Sequence, residues 1–477
     1  VRKQKKQVVL ENILVQDYAA EGKSLARADG KVIFIEGAVP GDLVDVLLYK
    51  NKADWAEGRV TKTHTYSPDR VNPFCTHFGV CGGCQWQMLP YEKQLFYKQK
   101  QVSDNLSRIG KVLLPPVSPI IGADQTTQYR NKLEYTFATG KFIPTEEFRR
   151  MKAEGIHPGG LPGAAGFHVR GFFDKVVEID TCHLQDEPTN LIRKAVAQFA
   201  ITHTMPFYDT RLHRGWLRNM FVRNTTTGEW MINIVVGYEA EDVMKKLLDQ
   251  LLATFPQITT LLYTINTKKN DSLFALEPQV YYGKGFIVEK LEDFSFMIGP
   301  KSFFQTNTRQ AEKLYNVTRE YAELNGTQVV YDLYCGTGSI GIYVSKLAKK
   351  IVGVEVVEEA IMDAQKNADL NNIPHASFFT GDVIDICDDA FFDANGRPDT
   401  VITDPPRAGM HEKLVKKLLT IAAPTLVYVS CNPATQARDL AMLDEKYSVE
   451  KIQPVDMFPH TLHIENVVQL KLRYDRI

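Results

Sequence analysis

Residues 8–62 alternate apolar and polar side chains, with glycine recurring between the runs. Lys31-Val32-Ile33-Phe34-Ile35, Leu43-Val44-Asp45-Val46-Leu47-Leu48 and Trp55-Ala56-Glu57-Gly58-Arg59-Val60 each read as a strand, and Pro40-Gly41-Asp42 supplies a turn. Several short strands in so little chain predict a small barrel of the oligonucleotide-binding kind, which either binds a ligand or caps its neighbour. Tyr91 to Ile109 carries Leu95, Phe96, Val102, Leu106 and Ile109 at helical spacing and predicts one long amphipathic helix. Residues 129–240 hold further strand-like runs, among them Lys132 to Phe137 and Trp230 to Val236. Residues 141–165 are rich in glycine and proline and predict a loop or insertion.

From about residue 286 the period changes. The runs Val329 to Asp332, Lys350 to Glu355, Thr400 to Asp404 and Leu426 to Val429 alternate with helical stretches. That order predicts an α/β, doubly wound, mostly parallel sheet of the Rossmann-like kind. The expected organisation is a barrel over 1–62, a central mixed α+β domain over 63–285 and the α/β domain over 286–477. No internal repeat or low-complexity segment is present.

The bulk numbers narrow the class. A chain of 477 residues is too long for one core. A net charge of -1 supplies no global field for nucleic acid, so any such partner must be held by local patches and shape. The basic start, Val1-Arg2-Lys3-Gln4-Lys5-Lys6, is not followed by a long apolar core, which argues against a secretory leader. No run is long enough to span a membrane, and the expected location is the cytoplasm.

The seven cysteines are an odd number in a large chain, which argues against a disulfide framework. Cys75, Cys81 and Cys84 form a C-x5-C-x2-C cluster, and Cys182 lies far downstream. Four thiolates suit a tetrahedral zinc or an iron–sulfur cluster.

The segment Asp332-Leu333-Tyr334-Cys335-Gly336-Thr337-Gly338-Ser339-Ile340-Gly341 follows a strand and opens a helix. Its G-x-G-x-x-G spacing lets backbone approach a nucleotide-like ligand at a helix N-terminus. Nicotinamide enzymes use the same turn. Asp332 before the glycines, and Glu355 at the end of the next strand, where a carboxylate can take both ribose hydroxyls, tilt the reading toward a methyltransferase.

Ser430-Cys431-Asn432-Pro433 follows the apolar run Thr425 to Val429, so Cys431 is expected in a turn at the sheet edge where ligands bind. A pyrimidine carbon 5 is a poor nucleophile until a thiolate adds at carbon 6, and that step needs a cysteine with thiolate character on a polar, partly exposed loop. Removing the carbon-5 proton afterwards needs a base, and Glu465 in His463-Ile464-Glu465 leads an apolar strand and is the best-placed candidate. The tetrad Asp404-Pro405-Pro406-Arg407 supplies an acidic prolyl loop. Together these predict methyl transfer to a nucleic-acid base. Cytosine-5 enzymes typically add a cysteine in the prolyl loop, absent here; adenine-N6 methylation would leave Cys431 without a role.

These pieces, with the barrel, Tyr129-Arg130-Asn131-Lys132 and Ser302-Phe303-Phe304-Gln305-Thr306-Asn307, resemble the RNA uracil-5-methyltransferase family over nearly the whole chain. The resemblance implies a TRAM-type barrel, Cys431 as nucleophile and Glu465 as base. It implies S-adenosylmethionine held by Gln305, Tyr334, Glu355 and Asp404, with Ser339 and Asp382 as further contacts. It implies a [4Fe–4S] cluster on Cys75, Cys81, Cys84 and Cys182, packing of the 91–109 helix on the catalytic domain, and a monomer. The cluster pattern is similar to that of the 23S ribosomal-RNA members, with transfer RNA as the alternative. A non-catalytic RNA-binding or assembly role is the remaining alternative, and the intact Cys431, Glu465 and cofactor turn speak against it. For RNA contacts, Arg130, Lys132, Arg170, Lys175, Arg211, Arg214, Arg218 and Arg223 lie among Phe172, Phe173, Trp216 and Phe221, a mixture suited to unpaired strands.

Overall fold

The computed structural model describes residues 8–19, 22–156 and 163–473. The basic run at 1–6 lies outside them. The first six strands, from Val8–Leu14 to Trp55–Thr65, form one mixed sheet around a small core that includes Ile33, Ile35, Val44 and Val46. Alternation sets that core: in Lys31–Glu36 only Ile33 and Ile35 are buried. The architecture is OB-like, and its last strand runs past residue 62 to Thr65.

A second, seven-stranded sheet occupies the middle of the chain. Its strands Lys132–Ala138, Leu217–Asn224 and Trp230–Val236 pair antiparallel at its centre. Helices Thr189–Thr202 and Glu241–Thr254 cover one face, where Leu133, Tyr135, Val222 and Ile232 meet Val196, Phe199, Leu247 and Leu248. The segment expected as a loop over 141–165 instead holds the helix Thr145–Ala153 and the start of the strand Ala164–His168. Glu146 and Glu147 in its first turn, and Arg150 and Lys152 in its last, complement the helix dipole. It buries only Met151, so no apolar stripe announced it.

The third large sheet has the spatial order Ala376–Thr380, Lys350–Glu355, Val329–Leu333, Thr400–Thr403, Thr425–Ser430, Glu465–Leu472, Tyr447–Val455. The first five strands are parallel, and the last two form an antiparallel pair. Thr425–Ser430 is buried at every position, as a central strand covered on both faces must be. The order reverses beside Val329–Leu333, which places a crevice at the carboxyl ends of the strands.

The 91–109 helix runs over Tyr91–Asn105 and widens into a π turn at Leu106–Gly110. Val102 and Leu106 are buried, but Phe96 and Ile109 are exposed, while Gln94 and Lys98 are fully buried. The polar pair displaces part of the expected apolar stripe. Lys98 Nζ meets Asp456 Oδ1 at 2.6 Å, and Gln94 Oε1 accepts the His460 N–H at 2.8 Å. The helix thereby fastens the segment that leads into Glu465.

Candidate active site

The glycine turn is built for close approach. Tyr334, Gly336 and Gly338 all take positive φ. A Cβ at Gly341 would lie 3.0 Å from Asp332 Oδ2, the atom that accepts the Gly341 N–H at 2.8 Å. Burial, with Asp404 and Glu355 nearby, raises the Asp332 carboxyl to about 7. Glu355 accepts the Gly336 N–H at 3.3 Å and the Val356 N–H at 2.9 Å.

A cleft of about 380 Å³ opens beside this turn, within the range of small-molecule sites. Tyr334, Glu355 and Asp382 line it, together with Val383, Ile384 and two residues that the sequence did not single out, His411 and Lys413. Gln305, Ser339 and Asp404 do not line it. Ser339 Oγ instead bonds the buried Tyr315 hydroxyl at 2.9 Å, and Tyr315 feels the charges of Asp404 and Glu465. Gln305 is buried, and its loop is tied to the glycine turn where Thr337 Oγ1 donates to the Phe303 carbonyl at 3.3 Å.

Cys431 and Glu465 come together through strand register. Ser430 is paired with Asn466, so the residue after one and the residue before the other emerge at the same edge. Asn432 caps the following helix by accepting the Ala434 N–H, and its amide donates to the Arg407 carbonyl at 3.0 Å, joining the cysteine turn to the prolyl loop. The charge environment differs from the expected thiolate-favouring loop. Burial, then the charges of Glu465 and Asp404, push the Cys431 thiol up to about 11, against the opposing pull of Arg407. Burial raises Asp404 to about 7, and burial plus Asp404 raises Glu465 well above the carboxylate range. Asp404 and Glu465 thus crowd carboxyl groups around Cys431. Arg407 also bonds His463, whose imidazole burial and neighbouring cations depress to about 4.

The central domain reaches this site through Tyr129-Arg130-Asn131-Lys132. Asn131 donates from its amide to the Gln305 carbonyl and from its backbone to the Thr306 carbonyl, at 2.9 and 2.8 Å. Tyr129 donates to the Pro459 carbonyl at 2.9 Å.

Cys75, Cys81, Cys84 and Cys182 are all free and half-buried. Burial and the other three thiols raise Cys182 to about 12; for Cys84, at about 11, burial again leads and Cys81 and Cys75 add to it. The four therefore share one neighbourhood. Among the described residues no three His, Cys, Asp or Glu side chains close into a metal-holding group. A single zinc would hold sulfurs roughly 3.8 Å apart at ~2.3 Å bonds; a four-iron cluster separates its ligands more widely.

The basic residues proposed for RNA divide sharply. Trp216 and Arg218 are buried, and Arg218 holds the carbonyls of Asn266, Lys268 and Asn270. Arg211 pairs with Asp174 beside the exposed Phe173. Among the described residues no helix is long and apolar enough to cross a membrane.

Residues 392–473 match the family described as tRNA (Uracil-5-)-methyltransferase, and 318–428 match the methyltransferase small domain. A protein of Bacteroides thetaiotaomicron described as an RNA methyltransferase is 49% identical over 95% of this chain and 100% of its own length. One from Chlorobaculum tepidum, with the same description, is 38% identical over 95% of each chain. The crystal structure of the Pyrococcus abyssi tRNA (uracil-54, C5)-methyltransferase, in complex with S-adenosyl-L-homocysteine, superposes with a TM-score of 0.72 at 27% identity, covering 96% of this chain and 99% of that one. With relatives this similar over nearly full length, the chain belongs to the RNA uracil-5-methyltransferase family.

Proposed function

We propose that this chain methylates carbon 5 of a uridine in RNA with S-adenosylmethionine as donor. The observation that carries the reading is the register that sets Cys431 beside Glu465 at the same crevice as the glycine turn. When bound, S-adenosylmethionine supplies an electrophilic methyl group on a sulfonium cation. Tyr334, Glu355 and Asp382, which line the cleft, would hold its nucleoside part, and the Glu355 carboxylate would accept from the ribose hydroxyls. Gln305, Ser339 and Asp404 lie toward the reacting end, where buried acids favour a cation.

Cys431 gives up its thiol proton to solvent and adds through Sγ to carbon 6 of the uracil, and the ring electrons make carbon 5 nucleophilic. After carbon 5 has taken the methyl group, Glu465 removes its proton; those electrons re-form the ring double bond and break the carbon–sulfur bond. The target base must leave any stack to reach Cys431, so the substrate is a loop or an opened helix.

Cys75, Cys81, Cys84 and Cys182 are proposed to hold a [4Fe–4S] cluster. What supports the reading is the common neighbourhood of the four thiols and a cysteine pattern similar to that of the iron–sulfur members. We assign the three units 1–62, 63–285 and 286–477, and a cytoplasmic monomer as the working form.

Ribosomal RNA of the 23S type is the substrate we favour, because the cysteine pattern is similar to that of the ribosomal members. A specific observation supports transfer RNA as the second reading: the Pyrococcus abyssi tRNA enzyme matches 96% of this chain, so an N-terminal barrel does not distinguish the two substrates. Mapping 5-methyluridine in both RNA classes from a deletion strain decides between them. Loss from 23S rRNA is the expected result, and loss from neither class would refute uridine methylation by this chain.

A further inference from the structure

The central sheet has two unlike faces. One is the apolar face under the helices. On the other, register places Lys132 opposite Arg223 and Arg223 opposite Met231, with Glu134, Phe221 and Asn233 in the next row. Residues opposite one another in a ladder share a face, so Lys132, Arg223 and Asn233 emerge together, away from the helices.

They line a small pocket with Phe221, Met231 and Pro300. Its free volume is about 10 Å³, room for one oxygen atom. Arg223 spends one nitrogen, Nη2, on the Ser302 carbonyl at 3.1 Å, and its Nη1 is buried without a partner. Asn233 Oδ1 accepts from Thr264 at 3.0 Å, which leaves Nδ2 buried without a partner. The Lys132 ammonium sits 5.7 Å from the Phe221 ring centre. Glu134 is the one carboxylate that acts on Lys132, and none acts on Arg223. Burial drives Lys132 down to about 8 and Arg223 to about 10. A water could fill the volume, but it would leave the buried Arg223 guanidinium without a counter-charge among the described residues.

We propose that Lys132, Arg223 and Asn233 form a receptor for one non-bridging oxygen of an RNA phosphodiester. The pocket is too small for a whole phosphate ion, which suits a group presented from a chain. Its position explains the use. Arg223 is bonded to Ser302, at the start of the loop that carries Gln305, and Asn131, next to Lys132, is bonded to Gln305 itself. A phosphate held here sets its nucleotide beside the catalytic crevice. The inference rests on the RNA-methylation reading above and deepens it.

The test uses the full chain, a fluorescein-labelled decauridylate and the variants Lys132→Met and Arg223→Gln. Affinity is measured by anisotropy across a series of sodium chloride concentrations. Each variant should bind about tenfold more weakly at low salt, and the slope of log affinity against log salt should fall by about 0.7 per lost contact. S-adenosylhomocysteine binding by calorimetry should be unchanged. Lys132 is half-exposed, so Lys132→Met carries the test if Arg223→Gln fails to fold. Unchanged affinity and slope in a natively melting Lys132→Met protein would overturn the proposal. So would a site for the free ion, seen as a melting temperature raised by inorganic phosphate and lost in Lys132→Met while decauridylate binding stays intact. Decauridylate binding reads the pocket without methyl transfer, so its outcome is separate from the 5-methyluridine mapping.

Discussion

Cys431 and Glu465 face one crevice because Ser430 pairs with Asn466 across two antiparallel strands. Backbone pairing at the ends of two strands fixes Ser430 and Asn466, and so sets where Cys431 and Glu465 emerge. Their shared burial has a chemical consequence. Burial raises the Cys431 thiol to about 11 and the Glu465 carboxyl well above its ordinary range. A cation in the crevice would favour the ionised form of both by lowering the cost of negative charge.

Cys431→Ala should remove methylation, because carbon 5 stays unreactive without the adduct. Cofactor binding should persist, since Cys431 does not line the cleft. Glu465→Gln should allow addition and methyl transfer but stall elimination, so that enzyme accumulates joined to methylated RNA as a slow band on a denaturing gel. RNA carrying 5-fluorouridine should trap the wild type in the same way. Full activity, or a fluorouridine adduct, in Cys431→Ala would sink the covalent mechanism.

Gln436 clamps the two strands. Its Nε2 donates to the carbonyls of Tyr428 and Asn466 at 3.0 and 3.2 Å, and its Oε1 accepts from the Asn466 amide at 2.7 Å. Gln436→Leu strips buried groups of partners, at roughly 1–3 kcal/mol each. Chemical denaturation should show that loss. Single-turnover methylation should slow by about 10²-fold, since small misplacements of reacting groups cost that much, while the cofactor Kd holds. A variant destabilised as expected but with unchanged turnover would leave Gln436 a purely structural residue.

The parallel strands were legible in the sequence because strands buried on both faces read as continuous apolar runs, as Thr425–Ser430 and Lys350–Glu355 do. The glycine turn was legible because glycine favours the positive φ of positions 336 and 338 and permits the close approach of position 341 to Asp332. The contact between Cys431 and Glu465 was not, since it depends on Glu465–Leu472 inserting between Thr425–Ser430 and Tyr447–Val455, a pairing that no local pattern encodes. Burial of Lys98 was hidden for a related reason: its partner Asp456 lies hundreds of residues away. The charges around Cys431 were not legible in its motif, because Glu465 and Asp404 arrive from other strands and, after burial, raise its thiol. His411 and Lys413 gave no signal, being ordinary polar residues at the start of a helix.

Protein prepared without oxygen should be brown, with broad visible absorbance and about four irons per chain. Cys182→Ser should bleach it. The half-buried thiols, with Cys84 and Cys182 held well above neutral by burial and mutual repulsion, would release their protons on metal binding, so the metal-loaded protein should lose metal as pH falls. One zinc and no iron would sink the iron–sulfur reading and leave the methyltransferase assignment in place.

The buried Asp332 should give stability a pH dependence opposite to that of a salt-bridged carboxylate. Its carboxyl sits at about 7 in the folded protein, raised by burial first and then by Asp404 and Glu355. Unfolded, it titrates near ~3.9. Between those values the native state holds a proton that the unfolded state has released. Unfolding free energy therefore falls as pH rises, by about 1.4 kcal/mol per pH unit for one such group. The contribution is complete below pH ~4 and is lost as pH passes through about 7. Asp404, also near 7, and the raised Glu465 act in the same direction. Asp332→Asn is the discriminating variant. An asparagine can keep an acceptor on the Gly341 N–H, and it carries no charge at any of these pH values. Urea denaturation at pH 5, 6, 7 and 8 should show wild type and variant close together at pH 5. Above pH 7 the variant should be more stable by a few kcal/mol, with a shallower slope that keeps the share of Asp404 and Glu465. Parallel curves for the two proteins over this range would show that Asp332 is ionised in the fold, and with it that the carboxylate under the glycine turn is not held neutral by burial.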